Sequence, residues 1–304
     1  MLQDAVVFTI ANDAYEAGVA ALINSLFYNG FKGKIKVGIL PPYFQGQSLE
    51  NVEYIYLEST PETLNLKKTD LILDNPCTNF IYIDSDIVVN TREFLEELED
   101  LLNHCPVFPI EAIIPQEDIR RWRWHQQLTG KMKFSKNYSS SYYNAGFFAG
   151  NWERDMPLIK EWNNKIQNYS ASLNNVKDAK KYIKLSDQDL LNAILQDDTY
   201  KVAGISPPDW WGNMGGEQKP FLFIGLWSEP GFYHHTLQPK TWLHKSVPLR
   251  PPNAYDMLWY HYMKMDYYKI DIKKVLSPKM RDWLDHKKYT RYYRVIKKLL
   301  KKII

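Results

Sequence analysis

The sequence predicts an α/β fold with a mainly parallel sheet. Short apolar runs recur along the first half of the chain, helical patterns lie between them, and no internal repeat or low-complexity linker interrupts the alternation. The chain has 304 residues, 45% hydrophobic and 14% aromatic, enough apolar material for one large core.

Taken in order, Val6–Ile10, Ile35–Leu40, Tyr54–Leu57, Phe80–Ile83 and Ala145–Ala149 read as strands. Ala17–Phe27 is apolar nearly all round and predicts a helix packed on the sheet. Arg92–Leu102 puts Phe94, Leu95, Leu98, Leu101 and Leu102 on one face behind Thr91, an N-cap. Residues 115–142, with Arg120–His125 and a Ser-Tyr cluster at 138–143, read as a long surface excursion of the kind that carries function. Pro207-Pro208 and Pro251-Pro252 bracket a loop-rich region holding Trp210, Trp211, Trp227 and Trp242, with Trp259 just beyond. Trp210, Trp211 and Trp227 read as core or loop anchors, of which one or two could instead offer an exposed aromatic face for stacking, and Asp197-Asp198 as a solvated helix end. The expected division is a domain over 1–250 and a helical extension over 251–304.

Several classes are disfavoured. No stretch of 18 consecutive apolar residues exists to span a membrane. The first ten residues run into a strand pattern without a basic leader, so no signal peptide is read. Cys77 and Cys105 are too few for a disulfide scaffold or a structural zinc site and suit reduced thiols in the cytoplasm. The net charge is +3, yet residues 287–304 alone carry eight Lys or Arg and no acid, which leaves the rest of the chain mildly acidic. That distribution does not describe a nucleic-acid binder. As a helix, the tail would set Tyr292, Tyr293, Ile296, Leu299, Leu300 and Ile303 opposite its basic residues. Such a helix either docks on the protein or lies in an anionic membrane interface, and the second reading is preferred. It would place the protein peripherally on the inner face of the membrane.

The chemistry begins at Phe80-Ile-Tyr-Ile-Asp-Ser-Asp86. Where the backbone turns at the end of a strand, Asp84 and Asp86 can converge above the sheet edge, the place where ligands of open α/β sheets sit. Hard divalent cations take such oxygen ligands. Alone, the pair also fits a turn or an aspartate-nucleophile phosphatase. Four further segments narrow the choice: Thr9-Ile-Ala-Asn-Asp-Ala-Tyr15, Tyr143-Asn-Ala-Gly146, Ser186-Asp-Gln-Asp189 with Ser186 as helix cap, and His234-His-Thr-Leu-Gln-Pro-Lys240-Thr-Trp242.

In this order the segments resemble glycosyltransferase family 8 over roughly residues 5–245. The resemblance implies a GT-A fold and a retaining transferase that moves a hexose from a UDP-sugar to a glycan or lipid-linked glycan. It implies Mn²⁺ or Mg²⁺ on Asp84, Asp86 and His234. Ala11, Asn12 and Tyr15 then match the base pocket, although Tyr15 equally suits ordinary packing of a first helical turn. Ser85, Asn144, Ala145, Asp187, Gln188 and Lys240 match donor contacts. Gln188 is placed at the reacting sugar carbon, with Asp187 and Lys240 beside it as catalytic groups. Where the family carries an arginine this chain offers Lys67 or Lys68, which lack the bidentate fork. Lys68 is taken as the donor contact, and Asp70 as a surface residue or a further one. The closing motif departs from the family at Leu237, for Gly, and Thr241, for Pro. His235 is expected to face solvent beside a liganding His234. The rivals are the phosphatase, whose Asp-x-Asp belongs on a first strand rather than after some 80 residues, and a glycan-binding protein on a decayed transferase fold.

Overall fold

The computed structural model describes residues 2–41, 47–115, 117–121, 124, 141–172, 186–196, 200–205, 230–236, 238–243, 254–272 and 276. The basic tail, Trp210, Trp211, Trp227, Leu237, Asp197-Asp198 and most of the excursion after residue 115 lie outside the described residues.

Ten strands are described: β1 Ala5–Ala11, β2 Lys34–Ile39, β3 Val52–Tyr56, β4 Asn79–Ile83, β5 Ile87–Val89, β6 Val107–Ile113, β7 Ser141–Tyr143, β8 Phe147–Asn151, β9 Ala203–Ile205 and β10 Phe232–His234. The α-helices are α1 Glu16–Tyr28, α2 Lys68–Leu73, α3 Arg92–Leu102, α4 Trp152–Ser172, α5 Ser186–Ile194 and α6 Ala254–Met263. The main sheet runs β3-β2-β1-β4-β8-β6-β7, with β9 beside β6. Strands β3, β2, β1 and β4 are parallel, β8 runs antiparallel to both β4 and β6, and β6 pairs antiparallel with β7 and parallel with β9. The final expected strand thus lies two residues later than its apolar run suggested.

All seven residues of β1 are buried, because both faces are covered. Val7 and Ala11 join a core formed with α1, while Val6, Phe8 and Ile10 join a second core on the opposite face with α2 and α4. Strand β4 alternates likewise, sending Ile81 and Ile83 to the first core and Phe80 and Tyr82 to the second. Helix α1 is apolar all round because α6 covers the side that the sheet leaves free: Tyr255, Leu258, Trp259 and Tyr262 share its core. Helix α3 starts as read, with Thr91 Oγ1 accepting from the Phe94 amide at 3.3 Å and Phe94, Leu95, Leu98 and Leu102 buried.

A small second sheet positions the site. The β-branched run Ile87-Val88-Val89 pairs antiparallel with Phe232–His234, and His234 stands opposite Ile87. The His235 amide adds a bond to the Asp86 carbonyl at 2.9 Å. A distant segment is thereby fastened beside the turn that ends β4.

Candidate active site

Asp84 and Asp86 leave β4 through a turn in which the Ile87 amide donates to the Asp84 carbonyl at 3.0 Å. The Asp84 amide in turn donates to the Gly146 carbonyl at 2.7 Å. Ligand atoms of Asp84, Asp86 and His234 all lie within 4.8 Å of one another. A Cβ on residue 146 would sit 2.6 Å from both Asp84 Oδ2 and His234 Cε1, so only glycine leaves the triad its space. His234 Nε2 is 3.2 Å from Asp86 Oδ1, yet no hydrogen bond satisfies that oxygen, and His234 Nδ1 is also buried without a hydrogen-bond partner. Buried polar atoms left unsatisfied are costly alone, and a carboxylate oxygen and an imidazole nitrogen are atoms a cation could use. Two carboxylates and an imidazole suit Mn²⁺ or Mg²⁺, so the donor set fits the expected metal.

Two ammonium groups flank the triad. Lys240 Nζ donates to Asp86 Oδ2 at 2.6 Å and to the His235 carbonyl. Lys68, 2% exposed, donates to the Ala145 carbonyl at 3.0 Å and reaches Asp187 Oδ2 at 2.7 Å and Asp84 Oδ1 at 3.6 Å. Burial opposes charge on Lys68, but Asp187 and Asp84 outweigh it and raise its pKa. Burial likewise pushes Asp84 above the usual carboxylate range against the pull of Lys68, while Asp86 adds to the rise. For Asp86, burial is overcome by His234 and Lys240, which hold its carboxyl well below that range. The Tyr82 phenol donates to Asp84 Oδ1 at 2.9 Å and its own pKa is driven well up, first by burial.

Of the two lysines, Lys68 is the one that lies beside the triad. Lys67 turns away to Asp70 at 2.9 Å, and Asp70 also accepts from Gln167, so neither faces the triad. His235 is not a solvent-facing neighbour. It is 3% exposed, packs on the Tyr255 ring and lies 3.9 Å from Asp256. The C-terminal helix α6 covers that side, and it also receives Thr241 through a hydroxyl bond to Asp256.

Beside Asp84, Ser85 and Asp86, a cavity of about 250 Å³ is lined by Ala11, Asn12 and Tyr15 together with Leu64 and Asn65. Asn12 Oδ1 is buried there without a hydrogen-bond partner. Tyr15 packs edge-on against Trp242, 5.7 Å between ring centres, and Trp242 donates to the Ala14 carbonyl at 2.6 Å. The closing segment is thus tied to the start of α1. Helix α5 sends its residues to different sides: Asp187 to Lys68 and Asn65, Asp189 to the Tyr142 hydroxyl at 3.0 Å. Gln188 accepts from the Ala145 amide and from Asn144 Nδ2, both at 3.2 Å, and donates to Glu111 at 2.6 Å. Sequence reasoning missed Glu111, Asn65 and the role of Tyr82. The available signal for Glu111 was a lone acid in the apolar run Val107–Ile113.

No protein-family model matches the chain, and no curated protein matches it in sequence. Solved structures do. The galactosyltransferase LgtC, in complex with donor and acceptor sugar analogs, matches with a TM-score of 0.51 and 16% identity over 90% of this chain and 100% of that one. The glycosyltransferase GlyE of Streptococcus pneumoniae matches at 0.52 and 17% over 93% of this chain and 64% of that one. The apo bifunctional glycosyltransferase WbbM matches at 0.53 and 16%, covering 91% and 52%. A mixed sheet with this order, helices on both faces and an Asp-x-Asp at the edge of β4 is the GT-A fold of the glycosyltransferases, and this chain adopts it.

Proposed function

We propose that this protein is a metal-dependent glycosyltransferase that moves a hexose from a UDP-sugar to a glycan or lipid-linked glycan acceptor, keeping the anomeric configuration. The observation that carries this reading is the convergence of Asp84, Asp86 and His234 beside two buried ammonium groups. Asp84, Asp86 and His234 would hold Mn²⁺ or Mg²⁺, which when bound neutralises the departing diphosphate as a Lewis acid. Around the triad the chain sets three carboxylates, Asp84, Asp86 and Asp187, against Lys68 and Lys240. A divalent ion reverses that balance to positive, which suits a diphosphate.

Within this reading Ala11, Asn12 and Tyr15 receive the base, and Ser85, Asn144 and Ala145 border the donor. Lys240 moves from Asp86 to the phosphates, and Asp187 with Lys68 orients the sugar. Gln188 is a neutral amide whose oxygen already accepts two hydrogen bonds, a poor nucleophile. Front-face attack follows, with the leaving phosphate taking the acceptor's proton. Asp84 is an unpromising phosphatase nucleophile, because one oxygen accepts the Tyr82 hydroxyl and burial disfavours its charge.

A panel of UDP-sugars assayed with Mn²⁺ and with chelator tests the proposal. At least one donor should be hydrolysed or transferred only with metal, and Asp84→Asn or Asp86→Asn should lose at least about a hundredfold in rate, the scale of lost transition-state charge stabilisation. Metal-independent turnover, or full activity in either variant, would contradict it. The basic tail extends the reading to a lipid-borne acceptor at an anionic membrane. Deleting 287–304 should abolish co-sedimentation with anionic vesicles and spare hydrolysis of the soluble donor, and equal co-sedimentation of both forms would remove the membrane role.

A further inference from the structure

Glu111 is the one charged residue of β6, and it does not face solvent freely. Its Oε2 accepts from Gln188 Nε2 at 2.6 Å and from Asn144 Nδ2 at 3.1 Å. Gln188 and Asn144 are buried, at 6% and 5% exposure. On its other end, Gln188 Oε1 accepts the Ala145 amide and Asn144 Nδ2. Next to it in α5, Asp189 accepts from the Tyr142 phenol at 3.0 Å.

The two ends of a glutamine amide have the same shape, so their partners decide its orientation. A backbone N–H only donates, so the end against Ala145 is the oxygen. A carboxylate only accepts, so the end against Glu111 is the NH₂. Both neighbours demand the same orientation, and the bond to the carboxylate is the short, charge-assisted one.

We propose that Glu111 is a positioning residue that locks the Gln188 amide end for end. It keeps both lone pairs of the amide oxygen engaged by Asn144 and Ala145 and withholds that oxygen from the sugar carbon. This rests on the transferase reading for its catalytic consequence, though the orientation itself does not. Asn144-Ala145-Gly146 also carries the Lys68 and Asp84 contacts, so a turned amide would disturb the strip that joins sugar site and metal triad. No covalent step involves Glu111.

Two readouts test it on the full chain. In protein labelled with ¹⁵N-glutamine, with Gln188 assigned through Gln188→Ala, the Gln188 side-chain amide should show one N–H shifted downfield and slow to exchange. Glu111→Ala should remove that signature, and Glu111→Gln, which still offers an acceptor oxygen, should largely restore it. On whichever UDP-sugar the wild type turns over, Glu111→Ala should lower kcat by roughly tenfold to a hundredfold, the scale of a misplaced active-site group, with donor KM within about twofold. Glu111→Gln should recover most of the loss. An unchanged Gln188 resonance in Glu111→Ala overturns the proposal. So does a Glu111→Gln variant as slow as Glu111→Ala, because the carboxylate charge would then act directly. If the wild type turns over no donor, the transferase reading fails while the amide resonance still decides the role of Glu111.

Discussion

Asp84 and Asp86 stand two residues apart, yet the fold moves their carboxyls in opposite directions. Asp86 lies between His234 and Lys240 and is depressed, so its contribution to stability is present above its ordinary value of about 4 and is lost as pH falls through the depressed one. Asp84 is raised, chiefly by burial, so its contribution is present below about 4 and is lost as pH rises through the raised value. At neutral pH the metal-free protein therefore holds Asp84 at a cost that a cation would offset. Asp84→Asn should raise the Tm of the metal-free protein at pH 7 by a few degrees, since Lys68 keeps Asp187, and should abolish the further rise on adding Mn²⁺. A lower Tm without metal, or an undiminished response to Mn²⁺, would contradict this. The cluster of Asp84, Asp86 and His234, a group that could hold a metal ion, was legible in the sequence because the three sit in motifs with fixed spacing. Glu111, Asn65 and Tyr82 were not, since each reaches its partner only through the pleat or crossing of elements that carry no motif.

At the scale of elements, legibility followed the strength of the local pattern. Helix α3 was readable to the residue because its cap and apolar face agree, and Thr91→Ala should cost about 1 kcal/mol in urea unfolding with its m-value unchanged. A cost near zero would mean that the hydroxyl bond contributes nothing. Strands β5 and β10 were invisible: three residues each, paired across nearly half of the chain, they have no length over which a period can show. They are also what brings His234 to Asp86. Burial of His235 was misread for a related reason. Adjacent residues of a strand do face opposite ways, but the far side is roofed by α6, which only the tertiary fold reveals. Gly18 marks another close approach, since a Cβ there would fall 2.3 Å from the Ser85 carbonyl oxygen, where α1 meets the Asp84–Asp86 turn.

For the whole molecule, the sheet divides two cores and its edge gathers the chemistry. Residues from β1, β4, the β7–β8 corner, α5 and the segment after β10 meet there, which explains why one sequence could name the motifs without the distances between them. Residues 254–272 share the core of α1, with the Tyr268 amide bonded to Asn24 at 2.8 Å, so the C-terminal part braces the His234–Lys240 segment from behind. Among the described residues no helix is long and apolar enough to cross a membrane, and the proposed membrane contact falls to the sequence of the tail alone.

One divalent cation should bind Asp84, Asp86 and His234, with His235 a buried bystander on the other face. Titration of Mn²⁺ into the protein, followed by electron paramagnetic resonance, measures it directly. One saturable site is expected, weakened at least about tenfold in His234→Ala by loss of a ligand and little changed in His235→Ala. Absence of a saturable site, or a greater loss in His235→Ala than in His234→Ala, would contradict it.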